Sequence, residues 1–594
     1  MNSQPTPSLQ TDAALSPDAI DALYLAYYDG RAAVAAELAG CRAHALLDVL
    51  HARNRSNLGE VAILFEGQSI TYERLFRLSE GYARWLNVHG VRAGDHVAIA
   101  TGNRPEFVCL VLALSRLGAA AVLINTQLEG ESLQHLLEIA DPRLIATSDE
   151  AAPRFEALPR AGMYRDRLFN VSRLDPHISD DDLLSLQRET PSADNRTLCF
   201  LSTSGSTGLP KLVPYTGTRL VVSAMAGQNA VDIGPRDVMY VCLPLYHANG
   251  LMLGVLGALV AGATVLLRSR FSASSFWPDC IAHKVSAFVY VGEVCRFLLR
   301  RTSHEASEGH CVRLCIGNGL GADLWESFQA TYRIPRIIEF YGGTDASVLL
   351  VNLTNTPGSV GYLPESVRSS RKVALLQHDA DSGDVVRTAQ GRCIDVGPGE
   401  AGELVSGVLT QADMRIYQDQ RDSEARLLRD VFESGDCFMR SGDLLSRDAA
   451  GFYYFVDRLG DTFRWRGENV STTEIGALIA AATNVQEACV YGVKVPHEDG
   501  RAGMCALVCN ASWDPSQFRR EIARQAPRFA LPMFLRVTSS IPKTTTHKYR
   551  RNELAREGFN PSQIRDRLFV MADGEYVPLT GDLFARVASG GFKW

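Results

Sequence analysis

The sequence has no excess of positive charge, no C-x-x-C pair, no internal repeat and no apolar core at its N-terminus. Each absence removes a class of function. The 60 basic and 67 acidic residues leave a formal net charge of −7. A general nucleic-acid binder would carry a basic face or a strongly basic total, so no nucleic-acid partner is expected. A small anionic ligand is not excluded, because a local pocket can be positive on an acidic protein. The 13 cysteines are scattered and odd in number. Cys311 with Cys315, and Cys505 with Cys509, lack nearby histidines at zinc spacing. That favours small buried hydrophobes in a reducing compartment over metal ligands or disulfides. Met1 to Ser16 is polar and lacks the core of a secretory signal. Phe107 to Asn125 is apolar but carries Arg116 in its middle, and Gly250 to Leu267 is glycine-rich and barely reaches spanning length. Both read as a buried helix running into a buried strand. A cytoplasmic protein is expected, with peripheral association at the inner face of the membrane left open.

What is present is an ordinary globular composition, 46% hydrophobic and 21% charged, over 594 residues. A chain of that length buries a substantial core without disulfide or metal staples. From about residue 60, short β-branched runs alternate with helical ones: "VAILFEG", "YERLFRLSEGYARWLNVHG", "HVAIAT", "EFVCLVLALSRLG", "AAVLIN". This is a βαβ rhythm, and it returns between 220 and 340. Between 372 and 456 the text changes to short strands with polar turns, a smaller β-rich subdomain. After Asp457, "ACVYGVKV" and "MCALVCN" read as strands and "PSQFRREIARQA" as a helix. The expected organisation is an N-terminal helical extension at 1–45, a large α/β domain of βαβ subdomains plus the β-rich subdomain at 46–457, and a small α+β domain at 458–594. The interrupted run "DRLGD" at 457–461 is the expected linker.

The strongest local signal is "LSTSGSTGLPK", Leu201 to Lys211. It follows the strand-like "LCFL" and precedes "LVPYTGTRLVVSAMAG", which turns helical. Gly205 and Gly208 let backbone N–H groups close around phosphate oxygens. The hydroxyls of Thr203, Ser204, Ser206 and Thr207 add donors, and Lys211 adds charge. It is not a Walker A loop: Pro210 stands where the second glycine should be, and no Ser or Thr follows Lys211. Taken alone, such a run also suits a solvated, flexible loop. In the same way a lone His247 suits a structural role, Tyr341 a core tyrosine, Asp345 a solvated turn acid, "SGD" a turn, and Lys548 a solvated basic face with Lys543, Arg550 and Arg551.

Six elements in one order change that balance. "STSGSTGLPK" resembles the phosphate-binding signature of the adenylate-forming superfamily of acyl-CoA synthetases, adenylation domains and luciferases. "PLYHANG" (244–250) resembles its histidine segment, "EFYGGTDA" (339–346) its Y-G-x-T-E element, "SGD" (441–443) its ribose-binding element, "DRLGD" its hinge, and "TTTHKYRR" (544–551) its C-terminal lysine motif. "YVGEVCRFLLR", "CIGNGLGADLWESFQ", "DTFRWRGENVSTTEI" and "NELAREGFNPSQI" resemble the fatty-acid-transport-protein or very-long-chain acyl-CoA synthetase branch.

The resemblance implies a function and a site. A medium- to very-long-chain fatty acid would be activated with ATP to acyl-AMP, releasing pyrophosphate, and then joined to coenzyme A. The loop Thr203, Ser204, Gly205, Ser206, Thr207, Gly208 and Lys211 would hold the β- and γ-phosphates. Thr203 and Asp345 would line the Mg²⁺ site. Tyr341 and Gly342, with backbone at Gly319 and Leu320, would bound the adenine. Thr344 would donate to the α-phosphate, and Asp443 and Arg458 would serve the ribose side. His247 would sit by the acyl carboxylate, and Lys548 would neutralise it and the α-phosphate, a job for a flexible point charge. After adenylation the small domain would rotate about the hinge, bringing Trp465, Gly467 and Glu468 to the thiol step. Asp345 stands where most relatives have Glu, Thr545 replaces a usual Gly, and His547 a usual aromatic. An acyl-AMP ligase loading an acyl carrier protein, and a non-catalytic fatty-acid-binding relative, are the competing readings.

Overall fold

The computed structural model describes residues 15–40, 46–158, 160–174, 196–204, 210–343, 348–379, 384–409, 414, 416–459, 463–465, 468–498, 500–524, 526, 530–543 and 549–592. The chain divides into two compact units, Met1–Ser370 with Val408–Arg426, and Arg371–Gly407 with Leu427–Trp594. The architecture is the expected α/β.

In the first unit the βαβ rhythm is shared between two sheets. Strands Val61–Phe65, Thr264–Leu267, Val238–Val241, Ala287–Val291, Leu314–Asn318 and Arg336–Tyr341 lie side by side and parallel. Gln68–Thr71 closes one edge as a hairpin, and Leu350–Val351 pairs antiparallel with Arg336–Tyr341. The second sheet runs Leu168–Asn170, Leu144–Thr147, His96–Ala100, Ala120–Leu123 and Thr197–Ser204 in parallel, with Pro210–Thr216 antiparallel at its edge. Parallel strands are covered on both faces, which is why "HVAIA" and "AAVL" are apolar throughout rather than alternating.

The two apolar stretches near spanning length are core. Phe107 to Asn125 contains the helix Pro105–Leu117, which starts on a proline and stops at left-handed Gly118, φ 66°. The buried strand Ala120–Leu123 follows it. Gly250 to Leu267 contains a π-helix, Asn249–Leu256, a short α-helix and the strand Thr264–Leu267. Among the described residues no helix is long and apolar enough to cross a membrane.

The N-terminal helix Pro17–Gly40 is fixed by tyrosines. Tyr24, Tyr27 and Tyr28 are buried. The Tyr28 hydroxyl donates to the carbonyls of Leu349 (3.0 Å) and Tyr362 (3.2 Å), and Leu353 N–H donates to the Tyr24 oxygen at 2.8 Å. These bonds hold the chain just beyond the Y-G-x-T-E-like element.

The second unit carries the polar-turn region as an antiparallel sheet, with Ala374–Leu376, Ala401–Gly407, Cys437–Arg447 and Phe452–Arg458 in that order. Its C-terminal part is a five-stranded sheet, Val485–Val493, Ala502–Cys509, Phe534–Val537, Arg567–Ala572 and Glu575–Pro578. The ribbon Phe463–Trp465 and Glu468–Val470 lies on that sheet. Gly492 and Gly503 leave room for the Phe463 side chain, since a β-carbon at either would lie 2.6 or 3.0 Å from it. Cysteine behaves as expected: among the described residues all are free thiols, most of them buried.

Candidate active site

Three neighbouring parallel strands, Ala287–Val291, Leu314–Asn318 and Arg336–Tyr341, end together, and open parallel sheets bind ligands at such carboxyl ends. Past these ends stand Gly292, the turn Gly319–Leu320–Gly321, and Tyr341 with Gly342. Gly319 adopts φ 82°, a conformation suited to glycine. Gly292 is required by contact rather than by φ: a β-carbon there would lie 1.6 Å from the Gly319 carbonyl oxygen. Tyr341 is 8% exposed and its backbone pairs with Leu350.

A residue not singled out in the sequence organises this corner. Glu339 is 2% exposed on the interior strand. The Gly319 N–H donates to its Oε1, the Leu320 N–H donates to the same atom at 3.2 Å, and the Tyr290 hydroxyl donates to Oε2. Burial pushes the Glu339 carboxyl up to about 8, against the downward pull of these bonds. The only signal in the sequence is one acid inside the apolar run "RIIEFY". The Asn249 side-chain amide donates to the Asn318 side chain at 3.0 Å, joining the "PLYHANG" segment to the same turn.

His247 lies two residues before the π-helix Asn249–Leu256, a form frequent at functional sites. Its N–H donates to the Pro244 carbonyl at 3.1 Å, and its ring meets Tyr246 edge-on at 4.7 Å. Gly250 packs against the Pro244 carbonyl, which a β-carbon would approach to 2.4 Å. Asn103 completes the support, donating to the Leu243 carbonyl at 2.9 Å and accepting from Leu245 N–H at 2.9 Å.

The phosphate signature is a strand–loop–strand hairpin, with Thr203 opposite Lys211 and Ser204 opposite Pro210. "KLVPYT" is therefore strand, where the sequence suggested a turn toward helix; the helix starts at Gly217. Pro210 and Pro214 fit because the strand Pro210–Thr216 is at the sheet edge. Lys211 Nζ lies 2.8 Å from an Asp422 carboxylate oxygen and 5.0 Å from the Tyr417 ring centroid. The Gln418 N–H donates to the Leu212 carbonyl at 2.8 Å, which docks this segment on the hairpin.

In the second unit Asp443 lies opposite Arg458 across two antiparallel strands. Gly442 is left-handed, φ 74°, and its N–H donates to the buried Glu403, which also binds Arg440 at 2.7 Å. "SGD" is thus part of the strand Cys437–Arg447 rather than a turn, and the buried Glu403 holds its left-handed glycine. Asp457, 1% exposed, accepts from Thr472 N–H at 2.9 Å and from the hydroxyls of Ser471 (3.2 Å), Thr472 (3.2 Å) and Thr473 (3.1 Å). Trp465, 2% exposed, packs in the core of the C-terminal part. Glu468 contributes backbone pairing to Trp465. Gly205, Ser206, Thr207, Gly208, Thr344, Asp345, Gly467 and Lys548 lie outside the described residues.

Against known families, the pattern described as AMP-binding enzyme matches residues 50–408, and that of the AMP-binding enzyme C-terminal domain matches 474–548. The chain belongs to the AMP-binding enzyme family. Lys548 is the last residue of the second match. The chain is 36% identical to the medium/long-chain-fatty-acid–CoA ligase FadD6 of Mycobacterium tuberculosis, over 89% of each chain. It is 35% identical to long-chain fatty acid transport protein 1 of Mus musculus, over 88% of this chain and 84% of that one. These relatives bear out the fatty-acid-transport-protein branch. Among solved structures, ATP-bound MatB from Rhodopseudomonas palustris superposes with a TM-score of 0.70 at 21% identity, covering 86% of this chain and 98% of that one. MenE from Bacillus subtilis with the acyl-adenylate OSB-AMP gives 0.67 at 24%, covering 85% and 97%. At these identities the likeness is one of fold.

Proposed function

We propose that this protein activates a medium- to very-long-chain fatty acid with ATP, releasing pyrophosphate, and transfers the acyl group to coenzyme A. One observation carries the reading. The segments "PLYHANG", "CIGNGLG" and "EFYGG", separate in sequence, meet at one set of strand ends through Asn249–Asn318 and Gly319–Glu339. Membership of the family and the FadD6 relative support the chemistry.

The reaction joins two anions, so the site has to supply charge and aimed dipoles. In this reading Tyr341 and the Gly319–Leu320 backbone bound the adenine, and Asp443 accepts from the ribose hydroxyls with Arg458 beside it. The 203–211 loop holds the β- and γ-phosphates, and Thr344 donates to the α-phosphate. His247 orients the fatty carboxylate, and Lys548 offsets the charge gathering between carboxylate and α-phosphate. The hydroxyl of Thr203 and the carboxylate of Asp345 are hard oxygen donors that suit Mg²⁺. Mg²⁺ supplies charge neutralisation across the phosphate oxygens. The large domain then spans 46–457 and the small one 458–594, with 1–45 preceding them and the hinge at 457–461. Gly467 and Glu468 serve the thiol step. The enzyme works in the cytoplasm, peripheral to the inner membrane face where fatty acids partition.

The test is pyrophosphate release across a panel of fatty acids, with and without coenzyme A. Release that depends on a fatty acid, with an acyl-CoA product, is the expected result. Acyl-AMP that is passed only to an acyl carrier protein would redirect the second step, and no release with any acid would remove the first. Lys548→Ala should lower adenylation by about 10²-fold or more, the scale of losing a charge aimed at the transition state.

A further inference from the structure

A carboxyl group buried in a parallel sheet needs a reason, because desolvation disfavours it unless it is hydrogen-bonded. Glu339 has three partners, and two of them are backbone N–H groups of the turn that follows the neighbouring strand. The third, the Tyr290 hydroxyl, comes from the strand on the far side of that neighbour. The three strand ends are thereby tied at one carboxyl.

The peptide between Gly319 and Leu320 is held from both sides. Its carbonyl oxygen sits over Gly292, where not even a methyl group fits. Its N–H, on the opposite edge of the same planar unit, reaches Glu339 at 3.2 Å. A peptide so held cannot rotate without losing one contact or colliding with the other. Tyr341, two residues beyond Glu339 on the same strand, faces the same side of the sheet by the alternation of strand side chains. One strand thus supplies both the aromatic residue and the clamp on the adjacent turn.

We propose that Glu339 is a positioning residue for the adenine base, fixing the Gly319–Leu320 turn against the nucleotide, with Tyr290 holding Glu339. This rests on the nucleotide reading of the site given above. It concerns binding of the base rather than transfer of the acyl group, so its first test, AMP binding, needs no fatty acid.

The experiment is calorimetry with AMP on the full chain, together with KM and kcat measured separately for ATP and fatty acid. Glu339→Leu removes all three hydrogen bonds and should weaken AMP about tenfold or more, as expected when buried N–H groups lose their acceptor. KM for ATP should rise in parallel, while KM for fatty acid stays within about threefold, the range of an indirect effect. Glu339→Gln is the rescue. Its amide oxygen accepts from both backbone N–H groups, and its NH₂ keeps the Tyr290 contact with the direction reversed, the Tyr290 oxygen now accepting, so AMP affinity should stay within about threefold. Tyr290→Phe leaves the backbone bonds and should weaken AMP by only a few-fold; it decides the matter if Glu339→Leu does not fold. Parent protein that fails to bind AMP defeats the nucleotide reading itself. Parent protein that binds AMP, with Glu339→Leu or Tyr290→Phe binding it equally well, overturns the role of Glu339. Equal losses for ATP and fatty acid, unrelieved by Glu339→Gln, reduce Glu339 to a core residue and also overturn it.

Discussion

The strand-end corner around Glu339 and the strand pair around Lys211 both place an ionisable side chain beside a glycine-rich word of the sequence, yet they are built differently. Glu339 is buried, faces donors on two other strands and has no room to move. Lys211 is 17% exposed, and its partner Asp422 is 36% exposed, on a segment far along the chain. A buried carboxyl bonded to backbone fixes geometry. An ion pair open to water is easily exchanged, and contributes little to stability. In the proposed reading, the first region would hold a base in one pose, and the second would release Lys211 to phosphate, since a lysine can trade one anionic partner for another.

The comparison breaks most sharply at Gly292. Gly292→Ala should cost about 1–3 kcal/mol or more, the usual range for overpacking, because its methyl meets the Gly319 carbonyl. Thermal melting and AMP calorimetry would both register it, and unchanged values would mean the turn is softer than its contacts imply. Next comes Lys211→Ala, which should lower kcat/KM for ATP by about tenfold while leaving melting nearly unchanged, as for loss of a partly exposed cation aimed at phosphate. A drop in melting temperature with unaltered kinetics would make the lysine structural.

A smaller effect follows from titration. The folded Glu339 carboxyl sits near 8, above its ordinary 4.5, so between those values the folded state holds a proton that the unfolded state has lost. Stability from this group is present below about 4.5 and falls as pH rises toward 8. Glu339→Gln should flatten that part of the stability-against-pH curve, measured by denaturant titration at several pH values. A curve of the same slope would place the proton elsewhere. The smallest change is expected from Asp422→Asn, which releases Lys211 without removing it. KM for ATP should shift by less than about threefold and depend less on salt, in keeping with a screened surface pair. A large loss would turn Asp422 from a resting partner into a required support.

Much of the fold could be read from residue order. "HVAIA" and "AAVL" could only be buried strands, and Pro105 and Gly118 bracket their helix. The division of the early strands between two sheets was not legible, because periodicity reports burial and not which neighbour a strand selects. "KLVPYT" is strand although Pro214 weakens a strand signal; its edge position makes the proline tolerable, and edge position is a property of the assembled sheet. The site motifs were legible as short words, but their supports were not. Glu339 is one acid in an apolar run, and Asp422 reaches Lys211 only through the fold. The burial of Trp465 was equally illegible, because a distinctive word does not say which of its side chains packs inward.

The carboxylate of Asp457 closes the chain on itself. It accepts four hydrogen bonds from residues 471 to 473, so the strand Phe452–Arg458 and the helix Thr472–Ala480 are pinned together at one side chain. Pulling them apart would give up all four bonds together and leave a buried polar group unpartnered, so part-way positions are disfavoured.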